Sequence, residues 1–182
     1  AIEMSERLHE FNEKQIELGK PEFRIGIGIS YGTVTVGNIG TEKKMDYTVI
    51  GDMVNLASRL EGLTKAYQQN LIFSESMFHA VKGTLPWRFL DTVAVKGKKK
   101  GVKIFTAARE LDEKTQQAWN LHNKSMLSFY RRDFAEALRG FQHVQEVLPG
   151  DHVAGMMATR SEAYIAAPPP EDWSGVEVIT TK

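Results

Sequence analysis

Apolar side chains recur near the helical period at Met4, Leu8, Phe11 and Leu18, with charged residues between them. This spacing predicts an amphipathic helix over residues 2–18, which Gly19 and Pro21 end. The pattern then changes to alternation. Ile25, Ile27 and Ile29 are interleaved with Gly26 and Gly28, which predicts a strand from Phe23 to Tyr31. Its glycine face would let another backbone, or a ligand, come close. Val34 and Val36 predict a second strand, ended by Gly37-Asn38-Ile39-Gly40, and a charged loop from Thr41 to Lys44 leads to a strand at Tyr47–Ile50. After a turn at Gly51 the helical period returns over residues 52–67. Leu56, Leu60, Leu63 and Tyr67 form its apolar stripe, and Asp52, Asn55 and Arg59 a separate polar one. Leu71–Phe73 reads as a short buried strand. Ser74-Glu75 opens a short helix to about Val81, and Trp87–Val95 with Val102–Ala107 reads as a hairpin around Lys96–Gly101. Strands and helices alternate to about residue 110, which predicts an α/β sandwich.

Residues 113–165 are helical in pattern and poor in β-branched runs. Leu121, Ser125, Ala137, Phe141 and Pro149 match the spacing of one tetratricopeptide unit, although Ser128, flanked by Phe129 and Tyr130, stands where a large aromatic residue is usual. The expected form is an antiparallel helical pair. One unit cannot bury its faces alone, so it must pack on the preceding part, on residues 151–165 or on another chain. Pro168-Pro-Pro170 stops the helices, and the segment from Trp173 to Lys182 is left to dock as an extended tail or stay mobile.

The 182 residues suffice for one domain and an appendage. A formal net charge of +0 gives no reason to expect bulk binding to nucleic acid or anionic lipid. Cysteine is absent, which excludes disulfides, zinc–thiolate sites and thiol catalysis within this chain and fits a reducing compartment. No apolar run approaches the roughly 20 residues of a membrane span, and there is no signal-peptide core. The expected location is cytoplasmic, including as the cytoplasmic part of a membrane-anchored sensor. Ala1-Ile-Glu-Met4 resembles a helix interior, so the chain is expected to begin inside a domain. The five histidines show no metal-binding spacing.

Chemistry concentrates in Met45–Leu60. Asn55 and Arg59, four residues apart, lie on one helix face, where one can hydrogen-bond a polar ligand and the other hold an anionic oxygen. Taken alone, Arg59 also suits a surface ion pair with Asp52 or Glu61. The segment from Asp46 to Glu61 resembles the second half of the class III adenylate/guanylate cyclase catalytic domain. So do Arg24-Ile-Gly-Ile-Gly-Ile29, Val36-Gly-Asn-Ile-Gly40 and Val95-Lys-Gly-Lys98. The resemblance implies an α+β sandwich of ferredoxin-like type, present here in part, with an α-helical C-terminal hairpin. It implies a site shared by two domains, where the ribose 3′-oxygen attacks the α-phosphorus and pyrophosphate leaves. By the same resemblance Asn55 orients the ribose, Arg59 stabilises the pentavalent phosphate, and Lys96 binds terminal phosphates. Thr48 takes the base-reading position, where a hydroxyl can accept from the adenine amino group and favours ATP. The family's two metal ions, Mg2+ or Mn2+, are held by aspartates that lie upstream of what corresponds to Ala1. Asp46 and Asp52 are not their equivalents, so the chain alone is expected to lack turnover.

The expected organisation is therefore a C-terminal part of a cyclase domain at 1–110, a tetratricopeptide-like helical tail at 111–167, and an extended segment at 168–182. The expected function is a part of a bacterial adenylate cyclase acting as a homodimer, with a protein partner possible for the tail. The alternatives are a guanylate cyclase, or a non-catalytic cyclase-like module for dimerisation and nucleotide sensing.

Overall fold

A computed structural model describes residues 1–41, 44–94 and 101–178. The elements are α1 (Ile2–Glu17), β1 (Ile27–Ile29), β2 (Thr35–Thr41), β3 (Lys44–Ile50), α2 (Asp52–Tyr67), β4 (Leu71–Ser74) and α3 (Glu75–Val81). They continue with β5 (Trp87–Ala94), β6 (Val102–Ala107), α4 (Glu113–Tyr130), α5 (Phe134–Val147), α6 (His152–Ala166) and β7 (Glu177–Val178). A mixed five-stranded sheet runs in the order β1-β4-β6-β5-β7. β1–β4 and β5–β7 are parallel, and the other two pairs are antiparallel. β2 and β3 form a separate antiparallel ribbon.

Helices cover both faces of the sheet, which is the mixed α/β arrangement expected. On one face Ile2 of α1 and Met77, Phe78 and Val81 of α3 pack on Leu71, Phe73 and Phe105. On the other, Leu56, Leu60, Leu63 and Tyr67 of α2 and Ile72, Leu90, Val93 and Ile104 of the sheet share one core with the tail. The tail contributes Met126, Phe129, Phe141, Val153 and Met157 among others. Each such side chain, fully buried, contributes roughly 1.5–3 kcal/mol.

The Gly37–Gly40 segment does not end a strand. It pairs through the ribbon, Gly37 with Thr48, Asn38 with Tyr47, Ile39 with Asp46 and Gly40 with Met45. A ladder needs backbone groups only, so missing side chains do not break it. The first predicted strand is shorter than expected, at Ile27–Ile29.

The helical tail contains the expected hairpin, α4 and α5, and a third helix, α6, that returns against α5 and the sheet. Each opens on an aspartate that accepts from a first-turn amide. Asp112 caps through Thr115, Asp133 through Glu136 and Asp151 through Ala154. Such caps are worth about 1 kcal/mol each. The Trp173 ring lies among Phe129, Tyr130, Phe134 and Tyr164, under the Arg132 guanidinium. Arg132 also donates to the carbonyls of Pro169 and Pro170. The extended segment thus docks as far as Val178, where β7 lies beside Val93 and Ala94.

Buried polar groups join tail and sheet. The Arg88 guanidinium, nearly inaccessible to water, meets both Asp151 carboxylate oxygens, at 2.6 and 2.7 Å, and donates to His122 Nδ1 at 2.9 Å. His122 Nε2 lies 2.9 Å from the Phe89 carbonyl. Arginine only donates, so Nδ1 accepts and Nε2 carries the proton, which makes this histidine neutral. Burial, and then the Arg88 charge, push the His122 pKa well below its usual 6.5. For Asp151 burial acts upward, but the hydrogen bonds and charge of Arg88 outweigh it and hold the carboxyl below 3.8.

These shifts set a pH dependence. Below pH 6.5 the unfolded chain protonates His122 and the folded chain does not, so acid favours unfolding. The slope from this group approaches about 1.4 kcal/mol per pH unit. Asp151 adds to it only below 3.8. Melting temperature should therefore fall between pH 6.5 and 5, and the fall should flatten in His122→Gln, whose amide can accept from Arg88 and donate to Phe89. Equal slopes in both proteins would assign the acid sensitivity to other groups.

Candidate functional site

The strand-turn-helix that carries the candidate residues follows from local chemistry. Gly51, at φ 157°, turns the chain from β3 into α2, and Asp52 places an acid in the first helical turn, where the helix dipole favours it. Leu56, Leu60, Leu63, Thr64 and Tyr67 are buried, and Gln68 ends the helix in the left-handed conformation. The helix lies directly on the glycine face of β1. A Cβ at Gly28 would stand 2.1 Å from the Ala57 carbonyl oxygen and 2.3 Å from the Glu61 nitrogen, and one at Gly26 would stand 2.2 Å from Thr64 Oγ1. Gly28 thus admits the backbone of α2, and Gly26 the Thr64 side chain. Ser30 Oγ meets Met53 Sδ at 3.3 Å near its start.

With one side of α2 buried, Asn55 and Arg59 stand exposed on the other. Neither side chain has a hydrogen bond or ion pair among the described residues, so the surface pairing of Arg59 with Asp52 or Glu61 is not formed. Thr48 is exposed in β3, opposite Gly37. It shares a ribbon face with Asp46 and Ile50, since alternate residues of a strand lie on one side. Lys96 lies outside the described residues.

The ribbon and the start of α2 carry many exposed apolar side chains. Val34, Val36, Met45, Val49, Ile50 and Val54 are exposed, and Tyr47 is 76% exposed. Thr48, Asn55 and Arg59 all stand exposed. A cleft of about 630 Å³ lies elsewhere, between α1, the α2–β4 turn and the end of β6, and contains none of Thr48, Asn55 and Arg59. Among the described residues no three His, Asp or Glu side chains converge to hold a metal ion.

A second set of polar residues carries no spacing or motif that marks it in the sequence. Asp91 is fully buried where β5 bulges between Phe89 and Asp91, so that Leu90 and Asp91 both lie among the helices. Tyr67, Tyr130 and Arg160 converge on it. Burial, and the Asp91 charge, push both tyrosine hydroxyls well above their usual range, so they stay donors. Burial works against the Arg160 charge, but Asp91 more than restores it. Two charged residues, Arg88 and Asp91, in a strand otherwise largely apolar and aromatic were the available signal.

Comparison with known proteins gives a consistent picture. The family model for the adenylate and guanylate cyclase catalytic domain matches residues 1–108. The chain is 39% identical over 105 residues to Adenylate cyclase 1 of Rhizobium meliloti, covering 58% of this chain and 16% of that protein. It is 42% identical over 112 residues to an adenylate cyclase of Anabaena cylindrica, covering 58% of this chain and 22% of that protein. Less than a quarter of either relative is thus spanned. The solved adenylyl cyclase CyaB from P. aeruginosa superposes with a TM-score of 0.53 at 32% identity, over 62% of this chain and 57% of that one.

The contact of α2 with β1 leaves no room for a methyl group. Gly28→Ala should destabilise the protein by about 1–3 kcal/mol or more, because backbone rather than a flexible side chain must yield. Denaturant unfolding measures this, and a midpoint unchanged from wild type would show that the two backbones are not in contact.

Proposed function

The chain belongs to the adenylate and guanylate cyclase catalytic domain family, and we propose that it forms part of an adenylate cyclase that converts ATP to 3′,5′-cyclic AMP and pyrophosphate. The observation that carries this reading is the placement of Arg59. Its guanidinium is exposed, has no ion-pair partner among the described residues, and sits on a helix fixed against the sheet.

In the reaction the ribose 3′-hydroxyl loses its proton, its oxygen forms a bond to the α-phosphorus, and the bond to the pyrophosphate oxygen breaks. Negative charge grows on the α-phosphoryl oxygens. Arg59 can meet that charge from a rigid element without reorganising. Asn55, one turn earlier, holds the ribose so that its 3′-oxygen faces the phosphorus. The Thr48 hydroxyl accepts from the adenine amino group, and Lys96 takes the terminal phosphates. Divalent metal, Mg2+ or Mn2+, would supply charge neutralisation when bound by aspartates outside this chain. The exposed candidate residues and the apolar ribbon beside them support a site closed by a second cyclase domain, as a homodimer. α4 and α5 are read as one tetratricopeptide-like unit. In support, Gly140 admits Ser125 so closely that a Cβ there would stand 2.0 Å from its Oγ. The location consistent with a nucleotide substrate is the cytoplasm.

Two measurements on the full-length protein test this. Arginine contacts to transferring phosphoryl groups are worth about 10³–10⁵ in kcat. Arg59→Ala should cut kcat by at least about a hundredfold while KM changes severalfold at most, which is the mark of a transition-state contact. Arg59→Lys should not restore it fully, because a point charge lacks the planar fork. Mixed with a metal-aspartate mutant, Arg59→Ala should regain activity. A mixture that pairs and stays inactive would show that the site is not shared between chains.

Base choice is separate. Thr48→Ala should lower the ratio of kcat/KM for ATP over GTP by roughly 5- to 150-fold, the worth of one hydrogen bond in a closed pocket. An unchanged ratio in a folded variant would remove Thr48 from base recognition and reopen the guanylate cyclase reading.

A further inference from the structure

The C-terminal end of α2 is held by a buried carboxylate. Asp91 Oδ2 accepts from the Tyr67 hydroxyl at 2.7 Å and from Arg160 Nη1 at 2.8 Å. Its Oδ1 accepts from the Tyr130 hydroxyl at 3.0 Å and from the Thr92 amide at 2.8 Å. Tyr67 belongs to α2, Tyr130 to α4 and Arg160 to α6. A second contact lies beside the first. His152 of α6 donates through Nε2 to the Ala66 carbonyl at 3.0 Å.

These contacts act on a helix that carries Asn55 in its first turn and Arg59 near its middle. Apolar burial is non-directional, and the close contact with β1 limits rotation of α2 about its own axis without choosing among small rotations. A charge-assisted hydrogen bond is directional and fixes that rotation. The lever is short. A turn of about 20° moves a side chain about 6 Å from the helix axis by roughly 2 Å, and a misplacement of about 1 Å can cost on the order of a hundredfold in rate.

We propose that Asp91 is a positioning residue for the cyclase reaction: through Tyr67 it sets the rotation of α2, and through Tyr130 and Arg160 it makes the helical tail part of that setting. The proposal rests on the roles assigned above to Asn55 and Arg59, but its first readout does not. The simpler reading is that Asp91 only holds the tail to the sheet. Asn123 provides the comparison. It accepts from the Phe89 amide at 2.9 Å and donates to the Trp87 carbonyl at 3.2 Å, so it ties α4 to β5.

In the full-length protein, Tyr67→Phe keeps the ring and removes the hydroxyl. Amide hydrogen exchange over residues 52–67 should speed up by about fivefold or more. kcat should fall by about tenfold or more, with KM within about threefold. Asn123→Ala, compared at an equal loss of melting temperature, should leave α2 exchange and kcat within about twofold of wild type. Unchanged α2 exchange in Tyr67→Phe overturns the proposal. So does an Asn123→Ala variant that reproduces both effects, because the role of Asp91 is then merely structural. Exchange that responds to Tyr67→Phe in a protein whose kcat is indifferent to Arg59→Ala overturns the link to the cyclase reaction, and leaves Asp91 as the residue that sets α2.

Discussion

The approach of α2 to β1, backbone against backbone, is the constraint around which the rest of the chain is arranged. Gly26 and Gly28 remove the side chains that would otherwise keep helix and strand apart. Once α2 lies that close, its leucine stripe reaches Ile72, Leu90 and Ile104, and its polar stripe is turned outward with Asn55 and Arg59. The sharp turn at Gly51 then leaves the β2–β3 ribbon apart from the five-stranded sheet, with its apolar side chains uncovered. One steric condition on a three-residue strand thus decides both what is buried and what is presented.

Most of the elements could be read from periodicity because each has one face in a core and one in water. The helix at Asp52–Tyr67 is the clearest case, since its stripe of Leu56, Leu60, Leu63 and Tyr67 has the helical period and turn residues bound it. The ribbon was harder. Its strands bury little on either face, so Gly37-Asn-Ile-Gly40 carries no alternation to mark it as strand, and only its pairing with Met45–Thr48 identifies it. Asn55 and Arg59 were legible through spacing and resemblance, and the fold places both on one exposed face. Thr48 lies in the ribbon as an exposed strand residue, and nothing in its local pattern sets it apart from its neighbours.

Arg88, Asp91, His122, Asp151 and Arg160 were not legible, for a physical reason. They come from three separate stretches, β5, α4, and α6 with its N-cap, and a buried ion pair leaves no period in sequence. The same holds for the return of α6 against the sheet. What joins these parts is long-range. A carboxylate, a guanidinium or a neutral imidazole can stay in the core only where its partners are complete. Here the partners come from sheet and tail together, so the burial of each part depends on the presence of the other.

The docked C-terminal segment has a consequence of its own. β7 lies along β5, so residues beyond the last helix take the place at that sheet edge where a foreign strand could otherwise add. Upstream, Trp173 fills the space between Phe129, Tyr130, Phe134 and Tyr164, and Arg132 holds the proline carbonyls that lead to it. A protein shortened after Ala167 would lose a ring from its aromatic core and bare a strand at the same time. The last stretch of the described chain thus completes a core and a sheet edge at once.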